Sequence, residues 1–270
     1  MIACSIAGSD SGGGAGIQAD IKTFQELGVF ATTAITSLTA QNTLGVHDIV
    51  PMTPTFLAHQ LQAILDDFDV SAIKTGMLYD ETLIDVVATI LKEKEIPLVV
   101  DPVMVAKGGA NLLKRHAVEA LRQQLLPQTF ICTPNIPEAE VITGMKIQHE
   151  MDVLKAAKQF IDMGVKHVVI KGGHAQGNYA IDYVVSETSF FSIETPRIQT
   201  ASTHGTGCTF SAAITANLAK GLQLKKAIIE AKKYVQLAIA EPLGIGHGHG
   251  PTNHFAYKRA CGQCEVIVHE

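Results

Sequence analysis

Three short stretches carry residue types whose spacing suits chemistry. In THGTGCT (203–209), glycines at 205 and 207 precede an apolar run, which predicts a helix N-terminus whose first N–H groups lack intrahelical acceptors. Such amides converge on an anion, and phosphate is their natural occupant. Cys208 stands in that field, where its thiolate is expected to be favoured relative to a reference pKa of about 8.5 and able to take a proton from an alcohol. The competing reading is a small hydrophobe packing the first helical turn.

AGSDSGGGAGIQAD (7–20) is a glycine cluster between a strand-like and a helix-like segment. It has no G-K-[ST] and does not fit G-x-G-x-x-G, so the mononucleotide P-loop and the dinucleotide fingerprint both weaken. A glycine turn here still lets a ligand approach the backbone closely, at the strand ends where open α/β sheets bind ligands; a plain tight turn is the alternative. In TPNIPEAE (133–140), Asn135 and Glu138 fall in the first turn of a helix opened by proline. A carboxylate there is favoured by the dipole and can hold Mg²⁺ through water, while the same pattern also serves as plain capping.

Weaker features remain. Cys261-x-x-Cys264 is half of a zinc or redox spacing with no second pair nearby, and reads as a surface accident. His247 and His249 in GIGHGHGPTNH are metal ligands by type, but the intervening glycine indicates a turn near the site or an ordinary loop. Lys171 in KGGH (171–174) ends a strand and can reach a phosphate, or only water.

The elements that must position these groups alternate along the chain. Strands are expected over 2–8, 30–40, 71–77, 96–104, 129–135 and 166–173, and helices over 16–28, 54–68, 81–95, 152–164, from near Gly207, and over 224–243. An antiparallel hairpin over 179–198 makes the sheet mixed at one edge. The fold class is α/β: a three-layer α/β/α sandwich on a mostly parallel central sheet, in a single domain over 1–270.

Composition bounds the partners. With 47% hydrophobic and 17% charged residues, the chain is a well-buried globule rather than a disordered one. A formal charge of −5 without a basic run offers no footprint for nucleic acid or an anionic membrane. The first residues lack a basic leader, and no window approaches the ~20 apolar residues of a membrane span. Five cysteines, odd in number and mostly within apolar runs, suit reduced thiols, so a cytoplasmic protein is expected.

In order, AGSDSGGGAGIQADIKTF, AQNTLGV, KTGML, DPVM, TPNIPEAE, KGGH, THGTGCT and GHGHGP resemble the ribokinase-like superfamily of small-molecule kinases, and within it the hydroxymethylpyrimidine/phosphomethylpyrimidine kinases of thiamine biosynthesis. The match runs to about Lys258. It implies ATP as donor, Mg²⁺, and phosphorylation of 4-amino-5-hydroxymethyl-2-methylpyrimidine to the monophosphate and then the diphosphate. Many sugar kinases of the superfamily carry an aspartate base after G-x-G; Cys208 stands there, as in the pyrimidine branch. The resemblance implies that Cys208 accepts the hydroxymethyl proton while the amides of Gly205, Thr206, Gly207 and Cys208 stabilise the transferring phosphoryl group. It places Gln41 against the ring nitrogen and 4-amino group, Met77 and Val103 as apolar walls, and Asp20 near the same pocket, where the alternative is a solvated helix carboxylate. Asn135 and Lys171 fall on the nucleotide phosphates, and Glu138 with Asp101 behind it on the metal side. Relatives commonly form dimers, so a homo-oligomer is expected.

The nearest competitor is a pyridoxal kinase of the same superfamily, or one enzyme doing both. Pyridoxal has no amino group beside a ring nitrogen, so half of the Gln41 amide would go unpaired, at about 1–3 kcal/mol. A sugar kinase fits less well, and a non-catalytic ligand-binding module has no need of a metal carboxylate and a proton acceptor.

Overall fold

The computed structural model describes residues 1–105, 109, 112–114, 116–172 and 177–270. The first half contains β1 (Ile2–Asp10), α1 (Gly16–Glu26), β2 (Phe30–Asn42), β3 (Gly45–Pro51), α2 (Pro54–Asp67), β4 (Val70–Thr75), α3 (Glu81–Leu91) and β5 (Leu98–Val100). A short α4 (Ala117–Ala120) winds on through irregular helical turns to Gln128. There follow β6 (Ile131–Cys132), α5 (Ile136–Thr143), α6 (Glu150–Asp162), β7 (His167–Lys171), β8 (Tyr179–Ser186), β9 (Phe190–Pro196), α7 (Thr206–Ala219), α8 (Leu224–Ala240), α9 (Ala256–Arg259) and β10 (Ile267–His269).

The strands form one sheet in the order β10-β9-β8-β7-β6-β5-β4-β1-β2-β3. From β7 through β2 all neighbours are parallel. Both edges are antiparallel, because β3 folds back on β2 and β8 to β10 follow β7, so the sheet is mixed at two edges rather than the one expected. Side chains of the central strands alternate between two cores. Leu98, Val100, Val168 and Ile170 pack with Leu57, Leu83, Leu121 and Phe160 of the helices on one face. Val99 and Val169 point the other way, onto Phe210, Ile214, Ile228 and Tyr234 of α7 and α8. Phe24 of α1 joins Ala212 and Ala216 on that second face, which completes three layers.

β5 and β6 are much shorter than their apolar runs because Pro102 and Pro134 follow, and proline has no N–H for the ladder. The early stops free the chain at the carboxyl ends of the strands, where Asp10, Met77, Asp101, Asn135 and Lys171 all emerge. Helix α7 needs an unusual start: Gly205 caps it at φ 81°, and a Cβ there would lie 1.8 Å from Gly14 O. The glycine loop after β1 and the start of α7 therefore touch backbone to backbone. Among the described residues, no helix is long and apolar enough to cross a membrane.

Candidate active site

These strand ends and the α7 N-terminus enclose a cavity of about 650 Å³. Its lining brings together Gln41, Met77, Val103, Asp101, Asn135, Glu138, Lys171, Gly205, Thr206, Gly207 and Cys208. Of the twelve residues that the family resemblance assigns to the site, Asp20 alone is absent from this wall.

Helix α7 brings the backbone expected to form an anion hole to the cavity wall. Thr206 turns its N–H to Thr203 O at 3.4 Å and Thr209 donates to Gly205 O, while the N–H groups of Gly207 and Cys208 find no acceptor among the described residues. The free amides are thus fewer than the four consecutive ones expected. Lys171 strengthens the positive end: a Cβ on Gly207 would lie 3.4 Å from Lys171 Nζ. Lys171 is mostly buried and donates to Asp101 Oδ1 at 2.9 Å, so it is not the free surface lysine of the bland reading. Burial would lower its pKa, but Asp101 and Glu138 raise it above the ordinary value and keep it charged.

The expectation for Cys208 needs correcting. Burial pushes the thiol up to about 11, although Lys74 and the Gly16 N–H pull it down; Asp20 and Asp101 add to the rise. The helix amides do not overcome desolvation, which favours the thiol form of Cys208 at neutral pH.

Asp20 is corrected as well, both as a substrate contact and as a solvated carboxylate. It is fully buried beneath the cavity, within 2.8 Å of Lys74 Nζ and 2.5 Å of Ser5 Oγ. Its acceptors are taken by the protein, and its effect on the site passes through Lys74. Burial opposes the charge on Lys74, but Asp20 outweighs it, aided by Cys208 and Asp101, and Lys74 stays cationic under the thiol.

Asn135 and Glu138 form a capping box: Asn135 Oδ1 accepts from Glu138 N and Glu138 Oε2 accepts from Asn135 N, both at 2.8 Å. Capping and cavity lining coexist in the same residues. Burial raises the Glu138 carboxyl to about 7, with Lys171 pulling down and Asp101 pushing up. Asp101 does not fit as a direct metal ligand. Lys171 and Thr133 face its Oδ1 and Ser211 its Oδ2, so its oxygens are already engaged. The Glu138 carboxylate accepts from the Asn135 N–H and from the Met104 N–H and lines the cavity, so it is placed to meet a metal-bound water rather than the ion itself, and no cluster of three metal-ligating side chains exists among the described residues. That set fits Mg²⁺, which needs one or two carboxylates and takes its other ligands from water and phosphate.

Several residues of the wall, and Lys74 behind it, escaped the sequence reading. Asp10 lies inside the glycine loop, where its carboxylate accepts from the N–H groups of Gly12, Gly14 and Ala15 and faces His204 Nε2 at 2.8 Å. Burial alone would raise it, but His204 and these amides hold it below the ordinary range. The signal was a lone acid among glycines. Lys74 was legible as one charge in the apolar strand SAIKTGM. Also in the cavity wall, Lys232 pairs with Asp182 at 2.7 Å, and Thr195 Oγ1 is buried without a partner among the described residues; no local pattern marked these. The glycine-histidine tail is a loop beside the site, joined to α7 by His204 N donating to Gly250 O and Thr252 N donating to His204 O. His249 lines the cavity, whereas Gly173 and His174 of KGGH lie outside the described residues. Cys261 and Cys264 are free, like every cysteine of the chain.

Residues 10–253 match the family model described as phosphomethylpyrimidine kinase. The chain is 53% identical over 260 residues, covering 94% of its length and 97% of the relative, to a hydroxymethylpyrimidine/phosphomethylpyrimidine kinase of Haemophilus influenzae. It is 52% identical over 259 residues, with 95% and 96% coverage, to the enzyme of the same name from Bacillus subtilis. Among solved structures it resembles a pyridoxal kinase from Staphylococcus aureus in complex with AMP-PCP and pyridoxal, at a TM-score of 0.90 and 37% identity, covering 98% of this chain and 97% of that one.

Proposed function

Because the chain belongs to the phosphomethylpyrimidine kinase family, we infer that it uses ATP to phosphorylate 4-amino-5-hydroxymethyl-2-methylpyrimidine, first to the monophosphate and then to the diphosphate, in thiamine biosynthesis. The observation that carries this reading is the convergence of Cys208, the unpaired amides of α7 and the Lys171 ammonium on a cavity also lined by Gln41, Met77 and Val103.

In this reading the pyrimidine lies between Met77 and Val103 with its amino edge on Gln41, and its hydroxymethyl oxygen meets Cys208. The oxygen attacks the γ-phosphorus and the bond to the β,γ-bridging oxygen breaks. Cys208, once ionised, takes the hydroxymethyl proton, and Lys74 beneath it offsets the charge it carries before transfer. Charge on the moving phosphoryl group falls on the N–H groups of Gly207 and Cys208 and on Lys171. Asp101 holds Lys171, and Asn135 faces the phosphate chain. Mg²⁺ supplies charge neutralisation between the phosphates when bound, and Glu138 is the residue that would hold it, through water. A cytoplasmic homodimer belongs to the same reading, with light scattering of the purified protein as its check.

Pyridoxal is the second reading, favoured by the likeness to the Staphylococcus aureus pyridoxal kinase. The test is mass-spectrometric product analysis with MgATP and either the pyrimidine or pyridoxal, on wild type and Cys208→Ala in parallel. Mono- and diphosphate from the pyrimidine, lost in the variant, is the expected result. Product from pyridoxal alone would replace the pyrimidine assignment.

A further inference from the structure

The amide of Gln41 has two ends, and its neighbours determine which is which. One end lies 3.1 Å from Thr39 Oγ1 and the other 3.4 Å from His204 Nε2. With Oε1 on Thr39 and Nε2 on His204, both contacts fail. Thr39 Oγ1 lies 2.9 Å from Ser9 O, an acceptor only, so its single proton is spent there and it cannot donate to Gln41. His204 Nε2 faces Asp10 Oδ2 at 2.8 Å, and Asp10 is a carboxylate already accepting from three backbone amides. Its Nε2 must therefore carry the proton, and a protonated nitrogen cannot accept from an amide N–H. Both arguments demand the reverse orientation, with Nε2 donating to Thr39 Oγ1 and Oε1 turned toward His204; such an assignment follows from the network and not from the heavy-atom positions. The Gln41 backbone is pinned, because Ser11 Oγ donates to its carbonyl and accepts from its N–H, each at 2.8 Å.

We propose that the Asp10–His204 pair, with Thr39, is a specificity relay: it locks the Gln41 amide with its acceptor toward α7 and its donor toward β2, and so selects a ring that presents an amino group beside an unprotonated nitrogen. The proposal rests on the pyrimidine reading. In that substrate the ring carbon bearing the hydroxymethyl group adjoins the carbon bearing the 4-amino group. With the hydroxymethyl on Cys208, the amino group lies on the α7 side, where the locked amide offers Oε1, and the ring nitrogen beyond it meets Nε2–H. A 4-oxo analogue, 5-hydroxymethyl-2-methylpyrimidin-4-one, presents a carbonyl and a ring N–H in the same places, so the locked amide meets it acceptor against C=O and donor against N–H, and the pairing is restored only if the amide turns over. Asp10 and His204 are positioning residues here, acting through Gln41.

The test compares kcat/KM for the 4-amino and 4-oxo pyrimidines in wild type, His204→Ala, Asp10→Asn and Thr39→Val. Wild type is expected to prefer the amino compound by on the order of a hundredfold, since a turned amide leaves buried groups unpaired. Each variant frees the amide and is expected to lower that ratio by about tenfold, whatever happens to the absolute rates. Thr39→Val leaves the glycine loop's carboxylate in place, so it reports even if Asp10→Asn folds poorly, and dissociation constants for the two compounds replace rates in a variant too slow to assay. A ratio unchanged in His204→Ala and Thr39→Val, with both substrates slowed alike, means a merely structural role and overturns the relay alone. Failure of wild type to phosphorylate the amino compound would instead remove the reading on which the relay rests.

Discussion

If Cys208 is the base, its burial should be visible in the pH dependence of the rate. With the thiol near 11 in the free protein, only about one molecule in ten thousand carries the thiolate at pH 7, a deficit of about 5.4 kcal/mol at 1.36 kcal/mol per unit. The ratio kcat/KM reports ionisations of the free enzyme, so its logarithm should rise with nearly unit slope between pH 8 and 10, a gain of about a hundredfold. That window lies above the Glu138 transition near 7, which adds a second rise only at lower pH. The perturbations are Cys208→Ala, which removes the acceptor, and Cys208→Asp, which replaces it with a carboxylate already ionised across the window. The alanine variant should lose about 10²–10⁴ in kcat, the usual contribution of a general base. The aspartate variant should retain activity and show a flat profile from pH 8 to 10. A coupled ATPase assay in saturating MgATP measures all three. A flat wild-type profile, or Cys208→Ala within tenfold of wild type, would refute the argument and leave phosphoryl transfer to positioning and charge alone.

Other perturbations test the surrounding parts. Glu138→Gln keeps an oxygen for the Asn135 N–H and so the capping box, and thermal denaturation should show an intact fold while Mg²⁺ titration of the rate shows a weaker, flatter response. Because the folded carboxyl of Glu138 is raised from 4.5 to about 7, the folded state holds its proton more tightly than the unfolded one; ligand-free wild type should lose stability relative to Glu138→Gln as pH rises from about 4.5 to 7, seen as a shrinking Tm difference in the wild type's favour or a growing one against it. Gly205→Ala forces a side chain onto Gly14 O at φ 81°, and kcat should fall by more than about tenfold as the anion hole shifts, with a lowered Tm. Lys74→Met leaves the Asp20 carboxylate buried and alone, at a cost of about 3–5 kcal/mol in chemical denaturation.

Much of the architecture was legible because it depends on local periodicity. The helices from Gly16, Pro54 and Leu224 and the hairpin after residue 179 appear close to where the pattern put them. Strand β3 was missed because GVHDIVP is a largely exposed edge with weak alternation, and β5 and β6 came out short because a run of apolar residues does not reveal which will find ladder partners. The candidate site was legible where glycine spacing or an N-x-x-E pattern announces a helix start, as at Gly205 and Asn135. It was illegible at Thr195, Asp182 and Lys232, which meet only when β8, β9 and α8 pack together.

By itself the sequence determined the α/β class, the glycine turn at 205–208 that opens a helix, the capping box at 135–138 and the family motifs, since each is a property of residues adjacent along the chain. Tertiary structure decided the chemistry those residues possess. It buried Cys208 and raised its thiol, assigned Asp20 to Lys74 instead of to substrate, gave Asp101 to Lys171, and brought Asp10 onto His204, 194 residues away. Protonation and hydrogen-bond direction follow from desolvation and from charges a few ångströms off through space, and no spacing along the chain encodes those distances.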